Sequence, residues 1–149
     1  MSENKAVLDA VMRAIELEKE TFDFYTRAAH KTFNPEGKRV FNWLAKTEEA
    51  HYLKLTELYN SLYEGGRWVF YGGTTISLEP SEQGTSVTFD TDDRAALAIA
   101  LEIEQRGVDY YATLLEQTTD PAGRTMLETL RQEEQDHIRV IRERLEHLT

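Results

Sequence analysis

The sequence predicts an all-α protein: a four-helix bundle made of two copies of one helical hairpin joined by a long crossover. Three observations predict it. Prolines and glycines are confined to a few places, the long stretches between them carry apolar residues at helical spacing, and the second half of the chain repeats the first at an interval of 86 residues.

The breakers set the element boundaries. Pro35, Pro80 and Pro121 are the only prolines, and five of the eight glycines fall between Gly65 and Gly84. The stretches 4–33, 36–63, 92–119 and 122–148 are nearly free of both and read as helices. Asn34 and Asp120 are good N-cap residues. Pro35 and Pro121 then occupy the first helical position, where a missing N–H costs nothing. Thr91 or Asp90 is the expected cap of the third helix, with Asp92 and Asp93 favourable in its first turn. Segment 64–90 holds Gly65-Gly66, Gly72-Gly73, Pro80 and Gly84 and reads as the crossover, with a strand or two expected at Trp68-Val69-Phe70-Tyr71 and Val87-Thr88-Phe89. The expected organisation is one domain over 1–149: hairpin 1 about 4–63, crossover about 64–90, hairpin 2 about 91–148.

The repeat is detailed. A shift of 86 residues lays Ala14-Ile15-Glu16-Leu17-Glu18 on Ala100-Leu101-Glu102-Ile103-Glu104, and Asp23-Phe24-Tyr25 on Asp109-Tyr110-Tyr111. It lays Asn34-Pro35-Glu36-Gly37 on Asp120-Pro121-Ala122-Gly123, and Glu48-Glu49-Ala50-His51 on Glu134-Gln135-Asp136-His137. Residues 14–55 give 11 identities in 42 positions without a gap, where chance gives about two or three.

Composition narrows the function. A chain of 149 residues that is 40% hydrophobic can bury a core and argues against disorder. There is no cysteine, which excludes a disulfide framework, a thiolate metal site and a cysteine nucleophile. With 27 acidic residues against 17 basic, the net charge of −10 disfavours nucleic acid and anionic membranes as partners. No run approaches the roughly 18 apolar residues of a membrane span, nothing resembles a signal peptide, and a cytoplasmic location is expected.

The chemistry lies on the apolar stripes. They run Leu8, Val11, Ile15, Glu18, Phe22, Tyr25 and Ala29 in the first helix; Phe41, Leu44, Glu48, His51, Leu55 and Leu58 in the second. The third carries Leu97, Leu101, Glu104, Val108, Tyr111 and Leu115, and the fourth Leu127, Leu130, Glu134, His137 and Ile141. Each stripe turns polar at one level. Counting from the turns places Glu18 opposite Glu48/His51 and Glu104 opposite Glu134/His137, each about 16 residues, or roughly 24 Å, from its turn. Burying one isolated carboxylate costs several kcal/mol, and four together repel one another. Two divalent cations cancel the four charges, with the imidazoles as neutral ligands. A Glu from each of two helices plus Glu-x-x-His from each of the other two is the donor set of di-iron and di-manganese carboxylate bundles. The i, i+3 spacing places Glu and His on one helical face. Two divalent cations per chain are therefore expected, Fe or Mn with Zn possible, on Glu18, Glu48, His51, Glu104, Glu134 and His137.

Other polar residues have ordinary readings. Glu16, Glu20, Glu49, Glu102 and Glu133 lie off the stripes and are expected in solvent or in weak i, i+4 pairs. His30 and His147 match no ligand pattern and read as surface residues. Tyr25 and Tyr111 lie seven residues beyond Glu18 and Glu104. A buried hydroxyl needs a partner, and a metal-bound carboxylate is one; the alternative is a core tyrosine whose hydroxyl reaches solvent or backbone. Trp68, Phe70 and Tyr71 are expected to cover a bundle face or a subunit contact rather than form a site.

These residues carry a resemblance. Ala14-Ile15-Glu16-Leu17-Glu18 with Phe24-Tyr25, Glu48-Glu49-Ala50-His51, Ile103-Glu104 with Tyr111, and Glu133-Glu134-Gln135-Asp136-His137 resemble the rubrerythrin family of the ferritin-like superfamily. The likeness covers both hairpins and leaves out the crossover. It implies a non-haem di-iron centre, two Fe ions per chain with Mn or Zn as alternatives, that reacts with peroxide or dioxygen, with the six ligands named above and Tyr25 and Tyr111 behind them. The sequence departs from the family in two ways. Full-length rubrerythrins also carry a cysteine-ligated rubredoxin domain, so a separate electron-donor protein is expected here. Rubrerythrins also place an extra glutamate one turn after the third-helix ligand, where this chain has Gly107. The expected activity is that of a di-iron oxidoreductase, in a homodimer; the competing expectation is a ferroxidase-type module for iron handling or storage.

Overall fold

The computed structural model describes residues 2–74, 78 and 91–146, without the side chains of 2–4 and 91–92. Four helices make up the bundle: α1 (Ser2–Lys31), α2 (Pro35–Gly65), α3 (Thr91–Gln117) and α4 (Pro121–Glu146). Three-residue turns join α1 to α2 and α3 to α4, and each hairpin packs chiefly on itself. The α1–α3 contact is sparser. No helix among the described residues is long and apolar enough to cross a membrane.

The two turns are built alike because the sequence repeats there. Asn34 Oδ1 accepts from the N–H of Glu36 and Gly37 at 2.9 and 3.4 Å. Asp120 Oδ1 accepts from Ala122 and Gly123 at 2.9 and 3.2 Å. Each cap satisfies two of the four orphan donors of its helix. The preceding helices end alike as well: Lys38 Nζ donates to the Ala29 carbonyl at 2.9 Å, and Arg124 Nη1 to the Leu115 carbonyl at 2.6 Å. Both pairs stand 86 residues apart.

The apolar stripes divide into two clusters. Tyr25, Ala29, Phe41, Leu44, Leu97 and Ile141 fill one end of the bundle. Val11, Leu55, Leu58, Leu115, Leu127 and Leu130 fill the other. In every helix the polar residues singled out above fall between the two clusters, so apolar layers seal them off from both ends.

After α2 the chain does not form the expected strand. Residues 66–74 are irregular, and the described residues contain no strand. A strand needs a partner for its backbone, and here the segment's groups are taken by the bundle instead. The Arg67 carbonyl accepts from Ser61 Oγ at 2.8 Å, and the Thr74 N–H donates to Glu133 Oε2 at 3.0 Å. Trp68 lies flat on Gly123, where a Cβ would meet the indole ring at 2.6 Å. The expected strand at Val87–Phe89, the alternative cap Asp90 and the surface role of His147 lie outside the described residues, as do the side chains of Thr91 and Asp92. His30 is exposed.

Candidate metal centre

Mid-helix positions on all four helices converge at the centre. Glu18 comes from α1, Glu48 and His51 from α2, Glu104 from α3, and Glu134 and His137 from α4. All six are at least 96% buried, His51 completely. Their donor atoms form two overlapping groups. Glu18, Glu48, His51 and Glu134 make one; Glu48, Glu104, Glu134 and His137 make the other, each with its atoms within 4.8 Å of one another. Glu48 and Glu134 belong to both groups, so each group has its own Glu, its own His and two shared carboxylates.

The imidazoles are set in parallel, 6.2 Å apart with 14° between their planes. Both turn Nδ1 inward. His51 Nδ1 lies 2.9 Å from Glu134, 3.5 Å from Glu18 and 3.6 Å from Glu48. His137 Nδ1 lies 2.9 Å from Glu48, 3.2 Å from Glu104 and 3.9 Å from Glu134. Both turn Nε2 outward, and the outward partners fix the tautomer. Thr47 Oγ1 gives its proton to the Leu44 carbonyl at 2.8 Å, so toward His137 Nε2, 2.9 Å away, it accepts. His51 Nε2 stands 3.0 Å from a carboxylate oxygen of Glu133, which also accepts. Each ring therefore carries its N–H outside, leaving Nδ1 to take a proton or a cation from the centre.

The tyrosines cross between hairpins. Tyr25 of α1 donates to Glu104 of α3, and Tyr111 of α3 donates to Glu18 of α1, both at 2.6 Å. Burial first, and then the carboxylate each one faces, push both phenols well above their ordinary range, which keeps them protonated as donors.

Charge follows the same twofold pattern. Burial raises all four glutamates, but the outcome differs by position. At Glu104 the charge of His137 and three hydrogen bonds outweigh burial and bring it down to about 2; at Glu18 the charge of His51 and its hydrogen bonds also lower it. Glu48 and Glu134 are driven well up, by burial and then by the neighbouring carboxylates. Burial opposes charge on both imidazoles, yet Glu18 and Glu104 raise His51 and His137 above the usual histidine range. These four groups thus hold a proton more tightly than in water, and a cation pair would compete with those protons.

The donor set fits a pair of divalent cations. Glu18 Oε2, both oxygens of Glu48, His51 Nδ1, Glu104 Oε2 and Glu134 Oε1 are buried without a hydrogen-bond partner. Such a group ordinarily costs about 1–3 kcal/mol, and more when charged. These six atoms lie within one cluster; the other such atoms among the described residues are single nitrogens of Arg39, Arg131 and Arg144. One imidazole and several carboxylate oxygens per position suit Fe or Mn.

Comparison with known proteins agrees with this geometry. The rubrerythrin family model matches residues 2–59, which span α1 and most of α2 with Glu18, Glu48 and His51. Residues 2–59 thus resemble the rubrerythrin family. The family match ends within the first hairpin, and the 86-residue repeat extends the same pattern to the second. A solved structure, a hypothetical protein from Pyrococcus furiosus, shares the fold at a TM-score of 0.72 with 23% identity, over 93% of this chain and 87% of that one. No curated protein matches the chain.

Around this centre two features stand out. A cavity of about 170 Å³ between α1 and α3 reaches Glu18, Glu48 and Glu134 from an outer rim that includes Thr21, Arg106 and Gly107. Gly107 faces it without a side chain; a Cβ there would stand in ordinary contact with Glu134 Oε2, at 3.7 Å. The other feature corrects two sequence expectations. Glu133, expected in solvent or in a weak helical pair, turns inward to His51 and also accepts from Tyr71 Oη, from the Thr74 N–H at 3.0 Å and from Thr74 Oγ1 at 3.2 Å. These contacts outweigh burial and lower its carboxyl to about 2. Tyr71, expected only as cover, is itself buried, with its ring edge-on to His51 at 5.7 Å. Phe70 beside it is exposed. Glu16, Glu20, Glu49 and Glu102 are exposed as expected.

Proposed function

We propose that this chain is a non-haem di-iron oxidoreductase that reduces peroxide or dioxygen. In this reading it takes its electrons from a separate donor protein and works as a cytoplasmic homodimer. The observation that carries the reading is the pair of overlapping donor groups sharing Glu48 and Glu134. Glu18, Glu104, His51 and His137 would hold one iron or the other, and the two shared carboxylates would hold both. When bound, the iron pair supplies the two electrons that cleave the O–O bond. Reduction of hydrogen peroxide also takes up two protons and yields two waters.

The chain's own residues do the rest. The cavity beside Gly107 is large enough to admit peroxide or dioxygen to the carboxylates. Tyr25 and Tyr111 hold Glu104 and Glu18 in place by short hydrogen bonds, so the donors are oriented before any metal arrives. The apolar clusters above and below exclude water from the reacting atoms.

The test is to load the protein with Fe(II) without oxygen, add one equivalent of peroxide, and assay the remaining ferrous iron. Full oxidation of a bound pair by one equivalent is the expected result. Iron that stays bound and ferrous would refute the reading. A second reading, iron handling by ferroxidase action, draws on the net charge of −10, which concentrates cations at the surface. Uptake well beyond two irons per chain, in a cage-sized assembly on gel filtration, would favour it.

A further inference from the structure

The two halves of the centre are equivalent in their six donors and unequal in what stands behind the imidazoles. Position 47 and position 133 correspond under the 86-residue repeat, each directly before its own Glu-x-x-His. Each reaches across to the histidine of the other hairpin, Thr47 to His137 at 2.9 Å and Glu133 to His51 at 3.0 Å. One imidazole therefore leans on a neutral hydroxyl and the other on an ionised carboxylate. That carboxylate is held from outside. Tyr71 Oη donates to the oxygen that accepts from His51, while the N–H and hydroxyl of Thr74 donate to the other oxygen. Gly73, at φ 99°, provides the left-handed bend just before Thr74 that L side chains rarely adopt.

A carboxylate accepting the outer N–H of a metal-bound imidazole makes the inner nitrogen a stronger donor and fixes the ring. Loss of such a partner typically lowers metal affinity by about 10- to 100-fold. A threonine hydroxyl fixes the ring without adding charge. We propose that Glu133, clamped by Tyr71 and Thr74, is a positioning residue that makes the His51 metal position the tighter of the two, so that the pair fills in order, His51 side first. The proposal rests on the dimetal reading of the centre. It adds that the segment after α2 controls the loading of one position and leaves the other alone.

Cobalt(II) is the probe. Titrated anaerobically into the metal-free chain and followed by calorimetry, it is expected to bind in two resolved steps. In the half-loaded protein, proton NMR should show one paramagnetically shifted exchangeable imidazole N–H; at full loading it should show two. Glu133→Gln keeps an acceptor and removes the charge. It should weaken the first step by about tenfold, leave the second within about twofold, and move only the first N–H signal. Glu133→Thr, which gives both hairpins the same residue, should merge the two steps. Helical circular dichroism at native strength in both variants ties these losses to the site rather than to unfolding. Two equal steps in the native chain, or equal weakening of both steps by Glu133→Gln, would overturn the proposal while leaving the dimetal reading intact. No cobalt bound at all would overturn both.

Discussion

Laid over one another by the 86-residue shift, the two hairpins agree in their caps, their turn prolines, their carbonyl-binding cations and all six central side chains. They part at the next layer outward. Behind His137 stand Thr47 and the indole of Trp43, 5.2 Å from the imidazole ring; behind His51 stand Glu133 and Tyr71. Position 129, the counterpart of Trp43, is a threonine, and a Cβ on Gly73 would stand 3.9 Å from its methyl group. A small residue on the second hairpin thus accompanies the docked crossover segment, where the first hairpin supplies a large ring of its own. The comparison teaches that duplication fixed the donors, while the single crossover, which has no duplicate, made their surroundings differ.

The comparison breaks most severely at the shared carboxylates. Glu48→Gln and Glu134→Gln each remove a donor from both groups, so each should abolish the two-metal complex, and to the same degree. Glu18→Gln and Glu104→Gln should each cost one position. Metal content after desalting, measured by mass spectrometry, distinguishes these outcomes. Unequal losses at Glu48 and Glu134 would mean that only one of them bridges.

Protons give the next largest effect. Glu48, Glu134, His51 and His137 all hold protons more tightly than in water, so loading should release up to about four protons per metal pair. The sign follows from the raised values: apparent affinity falls as pH falls, about tenfold per pH unit for each proton displaced. Calorimetry in buffers of different ionisation enthalpy counts them. Release of fewer than one proton would contradict the charge pattern described above.

The cavity offers a kinetic contrast. Its rim pairs Thr21 of α1 with Gly107 of α3, again 86 residues apart. Gly107→Leu should fill the opening, slow peroxide oxidation of bound ferrous iron by about tenfold or more, and leave metal stoichiometry unchanged. An unchanged rate would place the entry elsewhere.

The smallest effects belong to the scaffold and test its symmetry. Asn34→Ala and Asp120→Ala should each cost about 1 kcal/mol, since each removes two cap hydrogen bonds of like length. Gly123→Ala should cost about 1–3 kcal/mol, because the methyl would press on the Trp68 ring. Chemical denaturation of the metal-free protein measures all three.

The helices and the convergence of the six donors could be read from the sequence because both rest on periodic patterns. A polar residue breaking an apolar stripe is a strong signal, and the repeat supplies it twice. Tyr25 and Tyr111 lay on the same stripes, but their partners did not show. Spacing along one helix cannot reveal that each phenol reaches the carboxylate of the other hairpin. Glu133 was misread for a related reason. It stands off the stripe of α4, where acids are usually solvated, and its inward turn depends on an irregular segment sixty residues away in the chain. The repeat did hold one clue: it aligns Glu133 with Thr47, each directly before its own Glu-x-x-His. The expected strand at Trp68–Tyr71 failed because side-chain propensity carries no information about whether a backbone partner exists.

The crossed tyrosine bonds carry a consequence for how the molecule comes together. Each hairpin brings three of the six donors and the phenol that steadies the other's glutamate, so neither half contains a complete cage. Severing the chain between them would turn maturation from a first-order event into an encounter of two fragments, limited by how often they meet.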